Sequence, residues 1–269
     1  MIMSNRKCTF VFLVVFLLYF YPASGSSEPL DKKILPFSAG EKLTYNLRWG
    51  FIPAGKAMLA VLPETEIEGV TANHFLLTAQ SNSFIDAFYK VRDQVDSYTD
   101  LGVTKTLFYT KKQLEGNTHN DIVVTFNWEG LTAQYTNFGE PKEPILIEPG
   151  SLDPLSIFFY ARTLDLDVGS IISYPVTDGE KALTGQARIV KRERIKVPAG
   201  EFDTFLMIPD LKDLGGVFKK SKKAKMFIWI TTDSRRILVK FRSKVIVGSF
   251  ISELITIEDT RPEIQVTEN

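Results

Sequence analysis

Short runs of β-branched and aromatic residues recur along the chain between Gly, Pro, Asn and Asp, and no long stretch keeps a 3.6-residue apolar period. The pattern predicts a mainly β protein. Residues 121–126 and 131–136 flank Asn127-Trp128-Glu129-Gly130, and 187–197 and 201–208 flank Pro198-Ala199-Gly200. Residues 225–231 and 236–247 flank Thr232-Asp233-Ser234-Arg235 in the same way. Turn chemistry between apolar runs reads as a hairpin in each case, so sequence neighbours should pair antiparallel. Ile237, Val239 and Phe241 alternate with Lys240 and Arg242, which predicts one buried and one wet face. Roughly ten to thirteen such strands fit one highly curved antiparallel sheet, an open barrel, or two stacked sheets.

One segment departs from this pattern. Asp153 and Pro154 open residues 153–164 as an N-cap and a first-turn proline do, predicting a helix of about three turns. Leu155, Ile157, Phe158, Phe159 and Ala161 cover most of its circumference, so it should be packed on most sides, inside the concavity of the sheet. A second short helix fits residues 83–90.

The first 25 residues read as a secretory signal peptide. Arg6 and Lys7 precede an apolar run over residues 8–21, and Pro22-Ala23-Ser24-Gly25 supplies small residues for cleavage. The run is shorter than the roughly 20 residues of a membrane span. Residues 26–269 are then one exported β domain with a polar tail near 258–269, not an integral membrane protein. Cys8 is the single cysteine and leaves with the signal, so no disulfide or thiol chemistry is expected. An outer-membrane barrel is disfavoured because both faces of residues 188–196 and 240–244 cannot be apolar.

Composition narrows the chemistry. The chain has 32 basic and 32 acidic residues, giving no sign of a nucleic-acid binder. His74 and His119 stand far apart without cysteine partners, so neither a metal site nor any other cofactor is expected. Ser156 lies in no nucleophile elbow, and no phosphate loop or dinucleotide fingerprint occurs. No catalytic residue is assigned and the chain reads as non-enzymatic; a hydrolase of envelope glycan or lipid would have only Asp153, Glu201 and Asp233 to offer. The balanced total conceals an asymmetry, because residues 181–244 carry 17 basic and 6 acidic side chains. Lys219, Lys220, Lys222, Lys223 and Lys225 are its densest part. They suit either a solvated loop or contact with an anionic envelope component.

Several ordered signatures carry a resemblance. They are Phe37-Ser38-Ala39-Gly40-Glu41-Lys42-Leu43-Thr44-Tyr45, Trp49-Gly50-Phe51-Ile52-Pro53-Ala54-Gly55-Lys56-Ala57 and Phe88-Tyr89-Lys90-Val91-Arg92-Asp93. Asp153-Pro154-Leu155-Ser156 running to Arg162, then Val197-Pro198-Ala199-Gly200-Glu201-Phe202, follow. Ile228-Trp229-Ile230-Thr231-Thr232-Asp233 and Val247-Gly248-Ser249-Phe250 complete the set. Together they resemble the bacterial exported domain-of-unknown-function 3108 family over nearly the whole exported chain. The resemblance implies a periplasmic envelope protein without assigned activity, with a spiral or half-barrel sheet like those of periplasmic lipoprotein carriers.

Read from the residues, Gly40, Gly55, Gly200 and Gly248 sit at strand edges and serve the backbone. Glu41, Tyr45, Asp153, Ser156, Arg162 and Asp233 also read as structural. The leading expectation is a lipid, lipoprotein acyl chain or lipid-linked glycan held in the curved sheet, with Trp49, Phe158, Phe159 and Trp229 as candidate contacts. The competing expectation is an interaction protein for envelope integrity, meeting an anionic partner through residues 181–244.

Overall fold

A computed structural model describes residues 34–210, 224–245 and 248–259. Strands β1 (Lys42–Trp49), β2 (Ile52–Ile67) and β3 (Val70–Ser81) lead through helix α1 (Ser83–Asp86) to β4 (Arg92–Thr99), β5 (Thr106–Glu115), β6 (Thr118–Asn127) and β7 (Thr132–Asn137). Two short strands, β8 (Glu140–Pro141) and β9 (Ile145–Leu146), end this first meander before helix α2 (Ser156–Arg162). A second meander follows: β10 (Ile171–Thr177), β11 (Ala182–Val197), β12 (Gly200–Pro209), β13 (Lys225–Thr231), β14 (Leu238–Val245) and β15 (Gly248–Glu258).

Among the described residues all fifteen strands belong to one antiparallel sheet, in the order β10-β11-β12-β13-β14-β15-β1-β2-β3-β4-β5-β6-β7-β8, with β9 also on β7. The single non-sequential neighbour on that path is β15 beside β1, which joins the two meanders edge to edge. The sheet curves without closing into a barrel. The segment before α2 ties edge strand β10 to β5 of the first meander: Ser151 O accepts from Thr106 N of β5 at 3.1 Å, while Leu152 exchanges bonds with Pro175 O and Thr177 N of β10 at 3.0 and 2.9 Å.

The predicted hairpins at 127–132, 197–200 and 231–238 are all present. Tight turns come from residues that tolerate positive φ: Glu68 and Gly69 (50° and 81°) join β2 to β3, and Phe138 and Gly139 (51° and 80°) join β7 to β8. Two consecutive positive-φ residues are what a two-residue turn between right-twisted strands needs.

Three expectations are corrected by the structure. Helix α2 has seven residues, about two turns, because Asp153 caps a turn through Pro154 and Leu155 before the helix proper; its Oδ1 accepts from Leu155 N and Ser156 N at 2.8 and 3.0 Å. Helix α1 has four, with Asn82 Oδ1 accepting from Ile85 N at 3.0 Å. The alternation over 237–241 is broken at Val239, where the β13–β14 register shifts: Trp229 faces Lys240, and Ile230 faces Leu238. That bulge puts Leu238 and Phe241 beside the strands' shared inner side chains and leaves Val239, fully buried, in the other core.

All described residues lie within one compact unit, Lys33–Asn269. Its apolar side chains form two clusters. The larger fills the first meander around Phe37, Tyr45, Phe75, Tyr109 and Phe159; the smaller lines the second around Ile189, Phe205, Met207, Ile228 and Ile230. Helix α2 stands between them, with Phe159 in the first cluster and Phe158 and Ala161 against the second.

Candidate functional site

Helix α2 is held from both ends by buried polar groups. At its start Asp153, fully buried, accepts from Ser97 Oγ of β4 at 2.6 Å and Thr106 Oγ1 of β5 at 2.7 Å, as well as from Ser156 Oγ. At its end Arg162 makes a bidentate pair with Glu41, at 2.5 and 2.9 Å, and donates Nε to Arg235 O at 3.0 Å. Both members of the pair are buried, and the Arg162 guanidinium lies 5.0 Å from the Phe37 ring and 5.7 Å from the Phe159 ring. Phe159 in turn stacks on Phe75 at 3.8 Å.

The other side of the helix faces a hollow. A cavity of about 650 Å³ lies between α2 and the second meander. Its helix wall is Ile157, Phe158 and Ala161; its sheet wall is Ile172, Val176, Met207, Ile228, Ile230 and Leu238. Strand β11 contributes Leu183, Thr184, Gly185, Gln186 and Ala187 from its first half. Polar groups gather toward one end, where Asp178, Lys181 and Asp210 sit beside the β10–β11 turn and the end of β12. Arg162 and Arg236 lie at the opposite end; Arg236 Nη1 donates to Thr232 O at 2.6 Å.

Tyr174 and Thr177 are the polar residues on the β10 wall. Tyr174 is the aromatic one. Its hydroxyl donates to Thr104 O at 2.9 Å, its ring lies 4.1 Å from Tyr160, and burial pushes its pKa up to about 12. Burial likewise holds Tyr45 far above the ordinary phenol range, with its hydroxyl donating to Leu238 O at 2.9 Å. Neither phenol ionises near neutral pH.

Of the residues singled out in the sequence, Phe158 and Phe159 line the cavity. Trp49 and Trp229 stand elsewhere. Trp49 ends β1 opposite Phe250, against Gly248, where a Cβ would come within 2.6 Å of the indole nitrogen. Trp229 is on the outer side of β13, donating to Glu193 at 2.9 Å under the Lys240 ammonium. Alternation along β13 identifies two faces but not which is inward. Met207, Met226, Tyr174 and Leu238 also line the cavity and carry no mark in the sequence, because each resembles any other core residue there.

The signature residues have structural partners. Gly40 N donates to Val61 O at 2.8 Å, and Gly55 packs so closely on β3 that a Cβ would sit 2.0 Å from Gln80 O. Gly200 turns the β11–β12 hairpin with φ 136°. Asp233 caps its own turn, accepting from Arg235 N at 3.1 Å and Thr231 Oγ1 at 2.6 Å. Asp153, Glu201 and Asp233 lie on three different elements with separate partners; Glu201 pairs with Lys196 on the surface. His74 Nε2 contacts Asp96 at 2.8 Å and its ring stacks on Tyr98.

The basic strand β11 meets acidic neighbours: Arg194 pairs with Asp203, Lys196 with Glu201 and Lys191 with Glu193. Lys225 opens β13 and is exposed, whereas Lys219, Lys220, Lys222 and Lys223 lie outside the described residues, as do the expected signal peptide and residues 260–269.

Residues 44–255 match the family model described as a protein of unknown function, DUF3108. The chain belongs to the DUF3108 family. No curated protein matches it. Among solved structures it is similar to the beta-barrel-like protein of domain of unknown function DUF1849 from Brucella abortus, with a TM-score of 0.54, 7% identity, and coverage of 84% of this chain and 99% of that one. It is also similar to the hypothetical protein CT021 from Chlamydia trachomatis, with a TM-score of 0.39, 10% identity, and coverage of 86% and 93%. At such identities the Brucella likeness supports the fold of this DUF3108 member and nothing about its activity.

Proposed function

We propose that this DUF3108 protein is a non-enzymatic envelope protein that holds a hydrophobic or amphiphilic molecule, a lipid or an acyl-linked group, inside its curved sheet. The observation that carries the reading is the cavity of about 650 Å³ with walls of Ile, Leu, Met, Val and Phe and polar groups gathered toward its ends. That size falls within the range of roughly 300–1,000 Å³ typical of small-molecule sites, and apolar walls with few polar anchors suit an alkyl chain. Export through the N-terminal segment, expected from the sequence, would put the cavity in the envelope, where such molecules abound.

The test is native mass spectrometry with lipid extraction on protein recovered gently from the envelope of expressing cells. A stoichiometric added mass of a fatty acid, phospholipid or lipid-linked sugar is expected. The Ala187→Phe variant, which puts a phenyl ring into the cavity, should lose that mass while keeping its fold. A bare protein mass in detergent-free preparations, or a mass retained unchanged by the filled variant, would refute the reading.

A further inference from the structure

The chain directions place the β1–β2 turn, the α1 segment, the β5–β6 turn, the end of β14 and the start of β15 at one end of the sheet. That end is unusually aromatic and exposed. Phe51 at the tip of the β1–β2 turn is 90% exposed, Phe84 and Phe88 of the α1 segment 62% and 59%, Tyr89 48%, and Phe250 on β15 42%. They belong to one rim, since Asn82, which opens α1, bonds back to Pro53 O and Ala54 O at 2.8 and 2.9 Å, and the Phe84 and Phe88 rings meet edge to face at 5.6 Å. Isolated exposed apolar residues are ordinary; five large aromatics at neighbouring turns of one rim are not.

On the elements that carry these aromatics, the exposed charges at this end are positive. Lys56, Lys90, Lys225, Arg242 and Lys244 are exposed there, and Lys225 faces Lys244 directly across the β13–β14 ladder. Two like charges opposite each other repel, a cost that a bound anion removes. Among the described residues, the acidic side chains on these elements at this end are Asp86, held by Arg92 at 2.6 Å, Asp93 and Glu115, partly buried beside each other, and Glu253, level with Lys56 and paired with Arg48 and Lys240. The cavity's Asp178, Lys181 and Asp210 lie at the same end of the neighbouring strands.

We infer that this rim is a docking surface for an anionic phospholipid bilayer, with the aromatic turns entering the headgroup–acyl boundary and the lysines and Arg242 meeting phosphate groups. Aromatic rings on short turns with cations beside them are the chemistry of interfacial binding, which scales with apolar area inserted and with attraction to anionic lipid. The docking surface is distinct from the cavity, and it sets the cavity's polar end toward the membrane.

The experiment is flotation of the protein, expressed with its own N-terminus and recovered as the cell processes it, with vesicles of phosphatidylethanolamine plus phosphatidylglycerol and with vesicles of phosphatidylcholine alone. The wild type should float with the anionic vesicles and progressively less as salt rises. The triple variant Phe51→Ser, Phe84→Ser, Phe250→Ser should bind about tenfold or more weakly to both kinds. The pair Lys225→Glu with Lys244→Glu should lose about tenfold on anionic vesicles only. All these positions are exposed, so unchanged urea midpoints verify folding. Ala187→Phe should float like the wild type; if it alone fails, binding runs through the cavity and the rim is overturned. Equal flotation of wild type and rim variants overturns the proposal too. A wild type that ignores vesicles, while a crosslinker at Phe51 captures a protein partner, assigns the rim to that protein instead. Absence of bound lipid in mass spectrometry with rim-dependent flotation intact would remove the cavity reading and leave this one standing.

Discussion

Replacing Arg162 by Met should be among the most damaging single changes in this protein. The guanidinium is 6% exposed and the Glu41 carboxylate 2%, so removing the cation leaves an anion inside the core. Two backbone carbonyls, Arg235 O at 3.0 Å and Pro36 O at 3.4 Å, lose a donor at the same time. Breaking one partner of a buried pair costs about 3–5 kcal/mol, far more than the net worth of the pair, because the survivor keeps its desolvation penalty. For a domain of this size about 1 kcal/mol moves the melting temperature by roughly 2–4 °C, so Arg162→Met should fall about 10 °C below the wild type. Glu41→Gln should cost somewhat less, since an amide still accepts one bond. The double variant should be more stable than the sum of the two losses predicts, by about 2 kcal/mol, because neither charge remains to be stranded. Urea unfolding followed in parallel by tryptophan fluorescence and far-UV circular dichroism measures all three. Single losses below about 1 kcal/mol, or strict additivity in the cycle, would refute the claim that this pair locks the helix.

Other predictions test neighbouring arguments. Burial, with help from Glu115, lifts the Asp93 carboxyl to about 7, so between roughly pH 4 and 7 the folded protein binds more protons there than the unfolded chain and loses stability as pH rises; Asp93→Asn should flatten that slope and be the more stable protein at pH 8, and an unchanged slope would show the carboxyl is ordinary. Asp153→Ala removes the acceptor shared by three hydroxyls and two amides and should cost at least about 3 kcal/mol, whereas Ser156→Ala should cost about 1; comparable losses would mean the network is not centred on the carboxylate. Gly55→Ala drives a Cβ into Gln80 O and should cost about 3 kcal/mol, while Gly50→Ala, with open space around it but φ at 61°, should cost about 1, both read from urea midpoints.

Much of the sheet is legible in the sequence because hairpins advertise themselves locally. Pro198-Ala199-Gly200 and the Asp233 turn specify their pairing within a few residues. The strand count is less legible: β8 and β9 are two residues each, too short to leave a period, and they exist only because β7 offers them an edge. The cavity is the least legible feature. Its wall comes from residues between Leu43 and Leu238 on eight elements, and an isoleucine on the inner face of β13 reads the same whether it touches another side chain or a void. Trp229 shows the converse. Its partners across and near the ladder, Lys240 and Glu193, are charged, and that pairing would have marked its face as the outer one once the register was known. The Val239 bulge hid the register, since one extra residue inverts every assignment beyond it.

A hollow of this size inside an apolar interior needs a reason not to collapse, because dispersion favours close packing and an unsupported helix would shift by a fraction of its diameter to fill the gap. Helix α2 is short enough to move and carries Ile157, Phe158 and Ala161 on the side facing the void. What holds it back is directional. Asp153 ties its first turn to Ser97 and Thr106 on the first meander, and Arg162 ties its last turn to Glu41 and to the β13–β14 turn. Moving the helix toward the second meander would stretch these buried bonds, which a low-dielectric setting strengthens and which oppose the dispersion gain of closing the gap. The two polar locks and the cavity are therefore one device: the locks set the distance between helix and sheet, and that distance is the width of the site. On the proposed lipid-holding function, Arg162→Met should reduce the lipid recovered with the protein even under conditions where the variant stays folded, because the freed end of α2 settles into the cavity proposed to hold it. Full retention of lipid by a folded Arg162→Met protein would separate the lock from the hollow and refute this account of why it persists.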